Sequence, residues 1–336
     1  MFRRFLALFR ARNTEFWRDK SSFIWNVFFP FLLVFGFAFI FSNGQAMFKV
    51  GVLGEEDAYL SKPQLFALRH IQFVPYQDEF EAVKKLRQHQ LDLLIQLDER
   101  VYWVNRSSPK GYMVERLLVA NDDEYVRRVI DGRQVRYVDW VIPGVLGMNI
   151  MFSCLFGVGY VIVRYRKNGV LKRLKATPLG AFEFLAAQVL SRWLIVVFIC
   201  MVVFFGCHWL FDTLMLGSYL SFFFVLALGT ITMISLGLVV ACRTRSEELT
   251  GGLLNVASWP MMGLSGVWFS LEGAPKGLQD FAYALPLTHI VEATRSIAIE
   301  GETLLAQSDH LLTLGVMAAV FLVIGATLFS WDADGR

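Results

Sequence analysis

Few side chains in this sequence of 336 residues stand where they could do covalent chemistry. His289 and Glu292 are three apart, so a helix would place both on one face, as an interfacial hydrogen-bonded pair or as polar groups lining an outer exit. No HExxH or paired-carboxylate arrangement accompanies them, and His208, His289, Glu292 and His310 sit at the borders of apolar runs, so an intramembrane enzyme is not indicated. Cys154, Cys200, Cys207 and Cys242 lie inside apolar runs or at their edges, without CxxC spacing. They read as buried thiols rather than a zinc or redox site. The phosphate loop G-x-x-x-x-G-K-[ST] is absent, since Gly51-Val52-Leu53-Gly54 lacks its lysine.

The chemistry on offer is electrostatic. Residues 164–179, RYRKNGVLKRLKATPL, form a basic segment between two long apolar runs. Val170, Leu171, Leu174 and Leu179 interrupt Arg166, Lys167, Lys172, Arg173 and Lys175, so a short helix there would be amphipathic. Pro178 stops that helix at or before Thr177. Such a segment either lies on anionic lipid, at about 1 kcal/mol per basic residue, or is offered to a partner protein. Within the flanking runs, Asn149 reads as bundle-facing glue or as a translocation-path contact. Arg192 reaches a membrane border by snorkelling more simply than by pairing with Glu183.

The elements that hold these residues follow from composition. The chain is 55% hydrophobic and 18% charged, against about 25% charged in soluble domains, which makes it a polytopic membrane protein. A net charge of +3 is too small to argue for nucleic acid. Residues 1–21 read as an amphipathic helix on the cytoplasmic membrane surface. Its paired arginines do not make an export signal, because charged residues separate them from any apolar core, and the apolar run after them reads as an uncleaved span. Spans are expected at 22–41, 138–163, 181–211, 218–242, 249–269 and 310–331. Glycines and Pro260 suggest a broken or re-entrant fifth element, which also carries Asn255. Residues 270–308, interrupted by Glu272, Pro286, Glu292 and Arg295, read as short helices dipping into the outer interface. Lys and Arg on the short loops place both termini inside.

Residues 42–137 change character and read as a small α/β domain outside the cytoplasm. Strands are expected at 49–53, 71–75, 91–97 and 100–105, and helices at 78–88, 112–119 and 124–135, with Asp78 an N-cap and 106–111 a turn.

Three stretches together resemble the membrane subunit of type-two ATP-binding-cassette exporters, in the branch with a large domain after the first span. Phe16-Trp17-Arg18-Asp19-Lys20 leading to Pro30 is similar to that family's interface helix and proline-bearing first span. Gly169 to Leu179, with Val170, Leu171, Lys172, Arg173, Leu174, Thr177 and Pro178, resembles its G-(T)-L-x-R-L-x-A-T-P-(L) coupling helix. Pro286, Leu287, Thr288, Glu292 and Arg295 resemble its outer-loop pattern. Lys167-Asn168 departs from the acidic residue that relatives often carry before the glycine.

The resemblance implies a permease of the bacterial inner membrane whose coupling helix docks on a separate ATPase subunit. ATP and Mg²⁺ would sit on that partner, and this chain would bind no cofactor or metal. It further implies a second permease copy, identical or paralogous, contact with membrane lipids, and a periplasmic adaptor as a further partner. Asn149, Asn255, Glu272, Pro286, Thr288, His289, Glu292 and Arg295 would line a path or outer gate for a hydrophobic or amphiphilic cargo. The alternative is a membrane-anchored sensor or assembly scaffold whose outer domain binds a ligand or partner.

Overall fold

The computed structural model describes residues 2–18, 27–28, 30–31, 34–35, 48–54, 71–87, 90–121, 125–132, 135–244, 246–268 and 276–331. The chain divides into two compact units, Phe41–Arg136 and the rest.

The smaller unit is a five-stranded sheet in the order β2-β1-β3-β4-β5, built from β1 (Phe48–Leu53), β2 (Ile71–Tyr76), β3 (Leu93–Gln96), β4 (Val101–Asn105) and β5 (Val126–Ile130). β1 runs parallel to β2 and β3, β3 antiparallel to β4, and β4 parallel to β5. The period-two alternation of the strands feeds two cores, one on each face. Val50, Val52, Leu93 and Ile95 share one with Val114 and Leu118 of α3 (Pro109–Asn121). Leu53, Leu94 and Trp103 share the other with Ala82 and Leu86 of α2 (Glu79–Arg87).

Asp78 caps α2, accepting from the Phe80 amide at 2.9 Å. Two sequence expectations fail here. The helix expected at 124–135 is instead strand β5, because Val126 and Val129 are β-branched and the segment finds a parallel partner in β4. The turn expected at 106–111 is shorter: Pro109 already opens α3, and Ser108 Oγ accepts from the Gly111 amide at 2.9 Å.

The larger unit is helical. α1 spans Phe2–Arg18. Of the expected first span, only Val27, Phe28, Pro30, Phe31, Val34 and Phe35 are described, all helical; the rest lies outside the described residues. The long helix α4 runs Tyr137–Lys167 and carries a π-helical stretch at Leu155–Tyr160. After it come α5 (Val170–Lys175), α6 (Ala181–Phe211), α7 (Tyr219–Ala241), α8 (Glu247–Leu264), α9 (Lys276–Tyr283), α10 (Pro286–Arg295) with a π turn at Ser296–Glu300, and α11 (Ser308–Thr327). Among the described residues, α4, α6, α7 and α11 are long and apolar enough to cross a membrane.

α4 and α7 form the centre of this unit. In α4 72% of the most apolar window is buried, against 17% in α11, so α11 presents most of its surface outward. Small residues permit the close crossings. A Cβ on Gly144 would fall 2.6 Å from the Val267 carbonyl oxygen, and one on Gly229 would meet Ile290 at 2.5 Å. Trp193 of α6 donates to the Ala227 carbonyl at 2.9 Å, and Thr232 of α7 to Leu314 of α11 at 3.1 Å.

The element expected to be broken around Pro260 is one continuous helix, α8, started by Ser246, whose hydroxyl accepts from the Leu249 amide. A proline removes one donor and strains one turn, and a helix of 18 residues absorbs it. All four cysteines are buried and unpaired.

Candidate functional site

The basic segment does not fold as one helix. Arg164 to Lys167 extend α4, whose end is reached when the Asn168 amide donates to the Arg164 carbonyl at 3.0 Å. Gly169 then turns the chain with φ +67°, a left-handed conformation that costs other residues about 1–2 kcal/mol. Nothing lies within 4 Å of where its Cβ would sit, so conformation rather than space selects glycine there. α5 is a six-residue helix that exposes Lys172, Arg173 and Lys175. Leu171 is wholly buried against its own chain, whereas Val170 and Leu174 remain half-buried. The apolar side expected to serve a partner is therefore divided: Leu171 anchors the helix, and the surface left outside is basic. The Thr177 hydroxyl closes the helix end on the Leu174 carbonyl at 2.6 Å, and Arg4 of α1 donates to the Pro178 carbonyl. Glu183 accepts from the Gly180 amide at 3.0 Å, which starts α6.

Behind this segment, Arg166 is buried and fully engaged. Its guanidinium donates to the carbonyls of Ala241 (3.0 Å), Cys242 (3.0 Å) and Ser330 (2.9 Å), and also to that of Thr244. The last carbonyls of a helix have no partner within it. One side chain from α4 thus caps the end of α7 and seizes the segment after α11. Lys167 pairs with Glu247 at 3.8 Å, and Tyr160 donates to Glu247 at 2.9 Å, which joins the start of α8 to the same end of α4. Sequence reasoning counted Arg166 as one charge among many. The available signal was helical phase: Ile162, Val163 and Arg166 are i, i+1 and i+4, and all three are buried.

A cavity of about 880 Å³ lies between α1, α4 and α6. Arg192 of α6 turns toward α1 and α4. Its Nε donates to the Ser153 carbonyl at 2.8 Å, and its guanidinium carbon lies 5.7 Å from the Phe16 ring centroid. Arg12 of α1 donates to the Gly157 carbonyl at 3.0 Å. The Gly157 carbonyl lies within the π-helical stretch and that of Ser153 just before it, where the change of register leaves backbone acceptors for side chains. Asn149 accepts from the Ser153 hydroxyl at 3.0 Å, inside its own helix, and borders the cavity. Arg18 also lines it; Asp19 lies outside the described residues.

The remaining sequence-predicted residues gather elsewhere. Thr288 donates to the Ala282 carbonyl at 2.6 Å and accepts from the Ser265 hydroxyl, and Pro286 opens α10 beside it. Arg295 stacks on Trp140 at 3.7 Å and donates to the Gly266 carbonyl at 2.9 Å. His289 Nε2 faces the Tyr283 carbonyl at 2.8 Å, which can only accept, so that nitrogen carries the proton. In a neutral ring Nδ1 then accepts from His310 Nδ1 at 2.9 Å. Glu292 lies 3.9 Å from His310 and also bonds the Tyr283 hydroxyl. Burial pushes the Glu292 carboxyl up from its ordinary range and the His289 imidazole down. Asn255 is exposed on α8, apart from this cluster, and Glu272 lies outside the described residues.

Four long apolar helices with a basic segment tied to their ends indicate an integral membrane protein. The chain belongs to the ABC-2 type transporter family, whose model matches residues 98–299. It is 21% identical over 97% of its length to a probable multidrug ABC transporter permease, YbhS of Escherichia coli K12, covering 94% of that protein. It is 25% identical to the inner membrane transport permease YhhJ of the same organism, over 54% of this chain and 49% of that one. With the linearmycin resistance permease protein LnrN of Bacillus subtilis it shares 28% identity over 52% of this chain and 44% of the other. The family is that of the membrane permease subunit of ABC transporters, in which the ATPase is a separate subunit.

Proposed function

We propose that this chain is the permease of an ATP-driven exporter that moves a hydrophobic or amphiphilic compound outward across the bacterial inner membrane. The observation that carries the reading is the basic α5, whose Lys172, Arg173 and Lys175 are exposed while Leu171 and Arg166 fix its root to α4, α7 and the segment after α11. A docked ATPase that pushes on α5 pushes on all of these at once. Gly169, Val170, Leu174, Thr177 and Pro178 complete the docking segment, and Phe16, Arg18 and Asp19 belong to the interface helix beside it. Multidrug and resistance permeases among the relatives support export as the direction.

In this reading six spans, counting 22–41 and 249–269, place both termini and α5 in the cytoplasm and the α/β unit outside. A second copy, identical or paralogous, completes the pathway, and ATP and Mg²⁺ sit on the ATPase. The cluster around His289, Glu292, Thr288 and Arg295 then belongs to the outer gate, with Asn149 on the path. The test is co-purification in mild detergent with a co-expressed ABC ATPase subunit. Wild type retains the ATPase, and Arg173→Glu, which reverses one exposed charge, loses it. Equal retention by both would contradict the assignment of α5.

A further inference from the structure

We infer that the cavity between α1, α4 and α6 binds an amphiphile with a negatively charged head, held by Arg192 with its tail along α4. The inference rests on the export reading for the fate of the ligand, but not for its binding.

Arg192 lies in an apolar helix, and its protein partners are one carbonyl, that of Ser153, and the face of Phe16. A guanidinium carries five N–H donors and a full charge. Among the described residues no carboxylate lies within ion-pair distance of it. A guanidinium set among apolar side chains is costly unless a counter-charge meets it. The backbone has nonetheless been cleared for it: a Cβ on Gly157 would sit 2.1 Å from the guanidinium carbon.

The surroundings extend the same sign. Arg12, Arg18 and Arg164 line the cavity with Arg192, against one carboxylate among the described residues, that of Glu15. That carboxylate is already occupied, accepting from Arg12 at 2.9 Å and from the Tyr165 hydroxyl. A cationic compound would be repelled. The rest of the wall includes Met148, Phe152, Phe156 and Ile195, which a small inorganic anion would leave unused. A volume of about 880 Å³ falls within the range of about 300–1,000 Å³ typical of small-molecule sites. Charge and apolar wall together select an acid with a hydrocarbon or aromatic body.

Such an acid could be a transported compound or an anionic lipid of the bilayer. The test uses the full-length chain in phosphatidylcholine nanodiscs, without nucleotide or ATPase, and the fluorescent fatty acid cis-parinaric acid beside its methyl ester. The acid is expected to bind about tenfold or more tighter than the ester, the worth of one charge-assisted contact. Arg192→Gln should bring the acid to the level of the ester and leave the ester unchanged. Asn149→Asp keeps the acceptor for Ser153 and places a rival carboxylate on the cavity wall, so it should weaken the acid alone even if Arg192→Gln fails to fold. Equal binding of acid and ester by wild type, or unchanged acid binding in Asn149→Asp, overturns the proposal. Displacement of the probe by phosphatidylglycerol mixed into the discs supports it with a lipid as occupant; no displacement, with acid selectivity retained, supports it with a transported acid. Failure of the wild-type chain to retain the ATPase would sink the export reading and leave this result untouched.

Discussion

Arg166 at the end of α4 donates to the Ser330 carbonyl at 2.9 Å, across 164 residues of sequence. The same guanidinium holds the Ala241 and Cys242 carbonyls, so three helix ends converge on one side chain immediately before α5. This knot fixes the root of α5.

Replacing Arg166 by Met removes every one of these donors while keeping much of the side-chain volume. Buried carbonyls left without partners cost about 1–3 kcal/mol each where water cannot reach them. The variant should lose several degrees of thermal stability in detergent, read by the fluorescence of the buried cysteines with a thiol-reactive dye. Arg166→Lys, with three donors and no planar fork, should fall between.

Gly169 and Gly157 separate two physical roles of glycine. Gly169→Ala meets no neighbouring atom and pays only the left-handed backbone, about 1–2 kcal/mol. Gly157→Ala keeps an ordinary helical backbone but collides with Arg192, and overpacking of this kind costs about 1–3 kcal/mol. Pairing each with a truncation distinguishes them: Arg192→Ala should rescue Gly157→Ala and do nothing for Gly169→Ala, measured as shifts in melting temperature.

In the α/β unit, Asn105 is buried at the end of β4, and its amide donates to the Arg87 and Gly132 carbonyls at 3.2 Å each. It ties the end of α2 to β4 and to the segment after β5. Asn105→Ala should destabilise this unit by about 2 kcal/mol, seen as faster limited proteolysis within residues 41–136 and unchanged cleavage elsewhere.

Much of the helical unit was legible because long apolar runs have one stable solution in lipid, and the GVLKRLKATPL stretch carried the family resemblance that the match over residues 98–299 supports. The failures share a cause. Arg166, Arg192 and Leu171 belong to patterns whose meaning depends on what packs behind them, and composition cannot report that. The strand at Val126–Ile130 was missed because four of its five residues are exposed, which erases the alternation of a half-buried strand, and its parallel pairing with β4 across α3 is not written in the segment itself. The continuity of α8 through Pro260 was missed because local propensity overstates what a proline breaks within a bundle. His310 and Tyr283 joined the His289–Glu292 pair only once α9 and α11 were folded beside α10.

The most direct test of the central claim uses proteoliposomes holding the chain and its partner ATPase, with ATP hydrolysis and outward transport measured together for wild type and Arg173→Glu. The account predicts that the variant inserts and folds normally yet loses about tenfold or more of its ATP-driven transport, because an exposed charge that steers the partner has been reversed. Undiminished transport by Arg173→Glu, or ATP hydrolysis by the purified chain alone, would contradict it.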